Sequence, residues 1–105
     1  MQYTIKFTKN FKKRFRKIIP NSLQDYAWTN IWRLTENPFI GKPLGDSYFR
    51  ELKIVDFRIY FIIYQEQVVV MLADVSNKKQ QQDTIDMLKK NRELLHEFIK
   101  NLNKE

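Results

Sequence analysis

The chain contains no cysteine, a single histidine and few residues that interrupt regular structure. Without cysteine it cannot form a disulfide, a thiolate metal site or a cysteine nucleophile, which favours the cytoplasm as its location. Only 2 glycines and 3 prolines leave little room for linkers. The longest apolar run, residues 68 to 73, is far shorter than the roughly 20 residues of a membrane span. We therefore expect one cytoplasmic domain over residues 1–105, with no membrane partner.

The charge that is present is unevenly distributed. The net charge is +7, and its whole excess lies in residues 1–20, which contain cations and no acid. Such a concentration favours a polyanionic partner, either nucleic acid or an acidic protein, although a basic helix face can also simply be hydrated. The nucleic-acid contacts predicted in this segment are Lys12, Lys13, Arg16 and Lys17.

The first part of the chain predicts a strand followed by a helical hairpin. Residues 3 to 7 alternate apolar and polar side chains, as in a half-buried strand. Thr8 can cap a helix over residues 9 to 19, in which the apolar side chains form one stripe at helical spacing. Pro20 ends this helix, and apolar spacing indicates a second helix over about residues 21 to 36.

The middle of the chain predicts an antiparallel meander. Residues 41 to 46 contain both glycines and a proline, which indicates a turn. Beyond these residues the apolar side chains recur at every second position, as in a strand. The links between the predicted strands are short and therefore allow only antiparallel hairpins. The predicted strands are residues 48 to 53, 57 to 64 and 68 to 75.

The last part of the chain predicts a helix over about residues 82 to 102, with residues 91–105 as its extended end. Ile85 and Leu88 lie on one stripe and are expected to pack on the sheet. His96 has no second histidine to act with, so we interpret it as a surface or packing residue and expect no metal and no cofactor. The resulting fold class is α+β: an N-terminal strand and helical hairpin, an antiparallel three- to four-stranded sheet and a C-terminal helix.

Cationic and aromatic side chains recur on the meander. Arg58, Tyr60 and Tyr64 alternate onto one face of their strand, and Lys53 or Arg50 of the preceding strand can flank Arg58. Guanidinium and ammonium groups suit a phosphodiester, and tyrosines can stack on bases. The alternative is that Arg58 is paired with Asp56, Glu51 or Asp74 and only ties the sheet together.

The segments from 41 to 44 (Gly-Lys-Pro-Leu), 48 to 54 (Tyr-Phe-Arg-Glu-Leu-Lys-Ile) and 56 to 61 (Asp-Phe-Arg-Ile-Tyr-Phe) carry a family resemblance. Together with the order of the elements, they resemble the RelE/ParE toxin superfamily of type II toxin–antitoxin systems. In that family the corresponding stretches read as a Gly-Lys-Pro-Leu turn, a strand with Glu-Leu-Arg, and Asp-Tyr-Arg before an apolar strand. The resemblance covers roughly residues 3 to 90.

This resemblance implies a toxin that a cognate antitoxin holds inactive. Ribosome-dependent members cleave mRNA in the ribosomal A site, and they use basic residues on the sheet for this. Carried over to this chain, Arg58 stabilises the phosphate and the transition state. The other catalytic candidates that the resemblance implies are Arg50, Lys53, Lys78 and Lys79, and Tyr60 is the candidate for stacking on RNA.

Residues 80 to 84 differ from the family pattern because they contain neither tyrosine nor histidine. Active members often carry one of these there as an acid, base or stacking group. Two alternatives to an mRNA endoribonuclease therefore stay open: a ParE-like protein that inhibits DNA gyrase by binding, and a catalytically inactive protein that only binds an antitoxin.

Overall fold

The computed structural model describes residues 2–91. The predicted continuation of the last helix to residue 102, the extended end over 91–105 and His96 fall outside the described residues, apart from Asn91. The helices are α1 (Lys9–Ile18), α2 (Asn21–Trp32) and α3 (81–91), with short 3₁₀ turns at Arg33–Thr35 and Pro38–Ile40. The strands are β1 (Thr4–Phe7), β2 (Lys42–Asp46), β3 (Phe49–Ile54), β4 (Phe57–Tyr64) and β5 (Val69–Asn77).

The strands form one five-stranded mixed sheet in the order β1-β5-β4-β3-β2. The three predicted meander strands correspond to β3, β4 and β5, and the α+β class is confirmed. The sheet is not purely antiparallel, because β1 pairs parallel to β5. A strand pattern marks residues 3 to 7 as extended but says nothing about their distant partner, so the parallel pairing was not predictable from it.

Strand β2 corrects the prediction of a turn over residues 41 to 46. It pairs antiparallel with β3, with an irregularity between Pro43 and Asp46. Proline and glycine are tolerated here because β2 is an edge strand of the sheet. Gly41, just before β2, is required by close packing: a Cβ there would lie 2.7 Å from the Glu51 carbonyl oxygen and 2.8 Å from Cζ of Phe61.

Helix α1 begins at the predicted residue and ends at Ile18, one residue before the predicted end. The Thr8 hydroxyl accepts a hydrogen bond from the Phe11 backbone N–H, and Pro20 follows the helix end. The same hydroxyl donates to the Ala73 carbonyl oxygen at 3.1 Å, so the cap also attaches α1 to β5. Between residues 2 and 91, no helix is both long and apolar enough to span a membrane.

Arg14 joins α1 to the buried C-terminal half of β5. Its Nε donates to the Val75 carbonyl oxygen at 3.1 Å and lies 2.6 Å from Oδ1 of Asp74. Asp74 is fully buried, and burial raises the pKa of its carboxyl group above the ordinary value of 3.8, against the lowering effects of the Val75 N–H and the Arg14 charge. The charge of Asp74 therefore depends on Arg14.

The sheet is covered on both faces. One face packs against α1 and α2 through a cluster that includes Phe11, Phe15 and Phe61. The opposite face, which we call the α3 face, packs against α3 through a cluster that contains Tyr60, Ile85 and Leu88. The prediction that Ile85 and Leu88 pack on the sheet is thus confirmed.

Candidate functional site

Three side chains form a row across the α3 face near one end of the sheet. Lys53 of β3 stands directly opposite Arg58 of β4, and Arg58 stands opposite Ser76 of β5. Directly opposite residues of antiparallel strands have Cβ atoms about 5 Å apart, so the two cations are held close together. Lys53 is exposed and forms no ion pair with any described residue. We call these two residues the Lys53/Arg58 pair.

Arg58 is only partly engaged by the protein. Its Nη1 donates to the carbonyl oxygens of Val55 at 3.3 Å and Phe57 at 3.0 Å, and its Nε lies 3.9 Å from Oε1 of Glu51. Among residues 2–91, Nη2 has no hydrogen-bond acceptor. The side chain is 12% exposed, so its position is fixed while two N–H donors stay available.

Glu51 lies in the next row of the same face, opposite Tyr60. It is buried, and its two carboxylate oxygens accept hydrogen bonds from Nε2 of Gln81 at 3.2 and 2.9 Å. Glu51 is thus the acidic partner of Arg58, as the alternative interpretation predicts, but the distance of 3.9 Å between Nε and Oε1 makes this a long ion pair. Gln81 belongs to the run that lacks tyrosine and histidine, and sequence reasoning missed its contact with the site.

Tyr60 is fully buried and cannot stack on a base, which corrects its predicted role in nucleic-acid binding. Its hydroxyl lies 2.7 Å from the hydroxyl of Ser76. Burial raises the pKa of Tyr60 to about 12, and the Glu51 charge adds to this rise while Ser76 and Arg58 oppose it. Tyr60 is therefore a neutral residue at physiological pH that fixes the position of Ser76.

This raised pKa predicts a loss of stability in alkaline solution. Between pH 10 and 12 the unfolded chain releases the Tyr60 proton while the folded chain retains it, so the free energy of unfolding falls as pH rises. The loss attributable to Tyr60 is about 1.4 kcal/mol at pH 11. Denaturant unfolding between pH 9 and 11.5 should show a steeper decline for the wild type than for Tyr60→Phe, whereas equal slopes would contradict the raised pKa.

Arg50 does not flank Arg58, contrary to the sequence prediction. It stands opposite Phe61 and lies on the face of β3 opposite to that of Lys53. Its side chain points away from the α3 face, toward the segment before β2. There its guanidinium donates to the carbonyl oxygens of Gly41, Ser47 and Phe39 at 2.8 to 3.0 Å and lies over the Phe39 ring. Backbone carbonyl oxygens occupy the guanidinium donors of Arg50, so Arg50 has a structural role.

Arg50→Ala is accordingly expected to lower stability. The substitution removes three charge-assisted hydrogen bonds from partly exposed carbonyls, and we expect a loss of about 2 kcal/mol in the free energy of unfolding. Chemical denaturation measures this loss, and Arg33→Ala, at an exposed arginine with one long 3.5 Å contact, is the control. If the two variants are equally stable, the bracing role of Arg50 is wrong.

The remaining predicted site residues lie in two places. Lys78 and Lys79 are exposed in the turn that directly follows β5, close in sequence to Ser76 and so at the same end of the sheet as the Lys53/Arg58 pair. Helix α1 packs on the other face of the sheet. The structure thus does not bring the α1 cations into the row that contains Arg58; these are Lys12, Lys13, Arg16 and Lys17.

Comparison with known proteins supplies the family. Residues 5–82 match the model of the ParE toxin of type II toxin–antitoxin systems. The chain belongs to the ParE toxin family. It is thus a member of the RelE/ParE toxin superfamily, as its sequence resemblance indicates, and no curated protein matches it at a significant level.

Solved structures similar to this ParE-family chain are RelE toxins. A double-arginine mutant of the E. coli toxin RelE in its free state superposes with a TM-score of 0.72 at 20% identity, over 86% of this chain and 98% of that one. The intact E. coli RelBE toxin–antitoxin complex gives 0.64 at 22% identity, over 71% and 95%. RelBE2 from Mycobacterium tuberculosis gives 0.64 at 21%, over 73% and 92%. At these identities the likeness shows a shared fold.

Proposed function

We propose that this ParE-family toxin arrests translation by cleaving mRNA on the ribosome. The observation that carries the proposal is the Lys53/Arg58 pair, two cations held opposite each other with the Nη2 donors of Arg58 unengaged by residues 2–91. Like charges placed directly opposite one another destabilise a sheet, and a bound phosphate relieves their repulsion. Lys78 and Lys79 add positive charge at the same end of the sheet.

The chemistry proposed for this pair is charge stabilisation. When a ribose 2′-hydroxyl attacks the adjacent phosphate, negative charge on the nonbridging oxygens increases toward the pentacovalent transition state. Arg58 can donate to those oxygens from Nη2, and the exposed ammonium group of Lys53 can approach them from the adjacent strand. Glu51 and Gln81 keep Arg58 in place, and their role is positioning.

The described part of the site contains no imidazole and no ionisable exposed phenol beside this pair. Because Lys53 and Arg58 stabilise charge and carry no proton in this step, the proton lost by the 2′-hydroxyl and the proton taken up by the leaving 5′-oxygen are exchanged with water. The ribosome then has to align the 2′-hydroxyl with the adjacent phosphate. We therefore expect cleavage of mRNA bound to ribosomes and no cleavage of the same RNA free in solution.

A direct test incubates the purified protein with programmed ribosomes and maps mRNA ends by primer extension. New ends within the coding region, absent when ribosomes are omitted, support the proposal. If the mRNA stays intact at protein concentrations that are sufficient to arrest growth in cells, the nuclease proposal is wrong.

The second candidate function is inhibition of DNA gyrase by binding, and the match to the ParE family model favours it. This function needs no acid or base, which agrees with the lack of tyrosine and histidine over residues 80 to 84. A gyrase supercoiling assay run beside the mRNA assay separates the two. Inhibition of supercoiling with intact mRNA supports this alternative.

The proposed partner is a cognate antitoxin, because similar folds were solved as complexes described as toxin–antitoxin or antitoxin–toxin. We also propose that the chain acts in the cytoplasm as one domain. If its expression without a partner leaves growth unchanged, a catalytically inactive antitoxin-binding protein is the better description.

A further inference from the structure

A buried carboxylate lies beside the Lys53/Arg58 pair. Glu51 is on the same face of β3 as Lys53, two residues before it, and stands opposite Tyr60 of β4. Alternate residues of one strand are about 7 Å apart, so Glu51 occupies the row next to the pair. Its side chain is only 5% exposed, and its Oε1 lies 3.9 Å from Nε of Arg58. The pair therefore has a negative charge fixed beside it.

The hydrogen bonds of Glu51 fix this charge without neutralising it. Both carboxylate oxygens accept from Nε2 of Gln81, at 3.2 and 2.9 Å, and Gln81 lies in the first turn of α3. An amide supplies donors but no positive charge. Arg58 is the cation that lies within ion-pair distance of Glu51. The charge of Arg58 is thus shared between Glu51 and any anion that binds at its Nη2.

The fixed charges at this site sum to a single positive charge. The Lys53/Arg58 pair contributes +2 and Glu51 contributes −1, which gives +1. Lys78, Lys79 and Asp56 lie at the same end of the sheet, but they are exposed, so water and salt screen their fields. The field of a buried charge is screened much less. Glu51 therefore has a strong influence on which anions the pair can bind.

The sum of +1 suits one class of phosphate group better than another. An internal phosphodiester of RNA, or a 2′,3′-cyclic phosphate, carries one negative charge, whereas a terminal phosphomonoester carries close to two at neutral pH. A phosphate bound at Nη2 of Arg58 lies within about 8 Å of the Glu51 carboxylate, where physiological salt leaves much of their repulsion in place. A doubly charged group also loses more hydration when it binds.

We infer that Glu51 is a specificity-determining residue that makes the Lys53/Arg58 pair bind singly charged phosphodiesters and reject terminal phosphomonoesters. Its carboxylate holds Arg58 in place and also sets the charge that the pair accepts. The inference rests on the proposed function in that the pair binds an RNA phosphate. A site with this selectivity recognises internal linkages and is not occupied by mononucleotides or by the phosphorylated ends of RNA fragments.

The test compares two ligands that share a base and a ribose and differ in the charge of the phosphate. Uridine 2′,3′-cyclic phosphate is a monoanion, and uridine 3′-monophosphate is close to a dianion at pH 7.5. Binding is followed through the Nε–Hε NMR signal of Arg58 in ¹⁵N-labelled protein, at constant ionic strength and without ribosomes. The signal is assigned by its loss in Arg58→Lys.

We expect the wild type to bind the cyclic phosphate at least as tightly as the monophosphate. Glu51→Gln keeps the shape of the side chain and removes its charge, so it should shift the ratio of the two dissociation constants about tenfold in favour of the monophosphate. Glu66→Gln is the matched control, because Glu66 is exposed in the turn between β4 and β5, at the opposite end of the sheet. It changes the net charge equally and should shift the ratio less than about twofold.

Gln81→Lys is a second variant that keeps the buried carboxylate. It places a cation against Glu51 and should shift the ratio in the same direction as Glu51→Gln. If Glu51 has only a structural role, both ligands weaken together and the ratio stays constant. An unchanged ratio in both variants, an equal shift in Glu66→Gln, a wild-type preference for the monophosphate, or no binding of either ligand would overturn the inference.

This result is separate from the proposed function because the titration needs neither ribosomes nor cleavage. If the pair discriminates between the ligands as expected but ribosome-bound mRNA stays intact, the nuclease proposal fails and the charge selectivity stands. If mRNA is cleaved but the ratio is the same in the wild type, Glu51→Gln and Gln81→Lys, the selectivity inference fails and the nuclease proposal stands.

Discussion

Arg58→Ala is expected to lower the rate of ribosome-dependent mRNA cleavage by about 100-fold or more and to relieve growth arrest. The reason is geometric: Arg58 is held by Val55, Phe57 and Glu51, yet its Nη2 donors remain available to a phosphate. Removing a preorganised donor from the transition state costs far more activity than removing a mobile surface charge. Lys53→Ala should have a smaller effect, about tenfold, because a flexible ammonium group is less well oriented.

Arg58→Lys and Arg33→Ala are the controls for this result. Lysine keeps the charge but loses the forked donor geometry, so it should restore activity only partly. Arg33 is exposed on the helical layer, and its removal should leave cleavage unchanged. Thermal unfolding has to accompany the assay, because Arg58→Ala also takes the nearest cation from Glu51. Undiminished cleavage by a folded Arg58→Ala variant contradicts the role assigned to this residue.

Arg14→Ala is expected to produce the largest loss of stability, about 3 kcal/mol at neutral pH. The substitution leaves the Asp74 carboxylate buried without its cation and removes a hydrogen bond to the Val75 carbonyl oxygen. Lys13→Ala, at an exposed position of the same helix, is the matched control and should change stability little. Denaturant unfolding at pH 7 measures both.

The pH dependence of this loss follows from Asp74. Its pKa in the folded protein is raised above the ordinary 3.8, so the folded chain binds a proton more tightly than the unfolded chain. Its contribution to stability therefore rises as pH falls through the folded pKa toward 3.8. Without Arg14 the cost of burying the ionised Asp74 carboxylate increases. The difference in the free energy of unfolding between the wild type and Arg14→Ala should therefore become smaller as the pH is lowered. Adding Asp74→Asn to Arg14→Ala should restore part of the lost stability. If the stability loss of Arg14→Ala depends neither on pH nor on Asp74, the ion pair is not its cause.

Local patterns predicted the parts of the fold that local interactions decide. The stripe on α1, the Thr8 cap and the hairpins of β3, β4 and β5 all depend on neighbouring residues, and all were found. The strand β2 was missed because Pro43 and Gly45 are turn residues by preference and are accommodated only at a sheet edge. The parallel pairing of β1 with β5 depends on a contact across more than 60 residues.

The candidate site was predictable in part for the same reason. Strand alternation predicted that Lys53 or Arg50 flanks Arg58, and the register that the tight turn between β3 and β4 fixes places Lys53 there. It could not reveal that Arg50 is bound by backbone carbonyls, since these lie in the segments on either side of β2, a strand that the sequence did not predict. Ser76 was missed because β5 contains a register shift opposite Tyr60 and Phe61, which moves the following residues to the other face.

The most direct test of the central claim, that the Lys53/Arg58 pair acts on an RNA phosphate, is the chemical identity of the mRNA ends. Attack by the 2′-hydroxyl leaves a cyclic or terminal phosphate on the 3′ side of the upstream fragment and a free 5′-hydroxyl on the downstream one. We predict that wild-type protein produces 5′-hydroxyl ends on ribosome-bound mRNA and that Arg58→Ala does not. Growth arrest by the wild type with intact mRNA, or with 5′-phosphate ends only, would contradict the account.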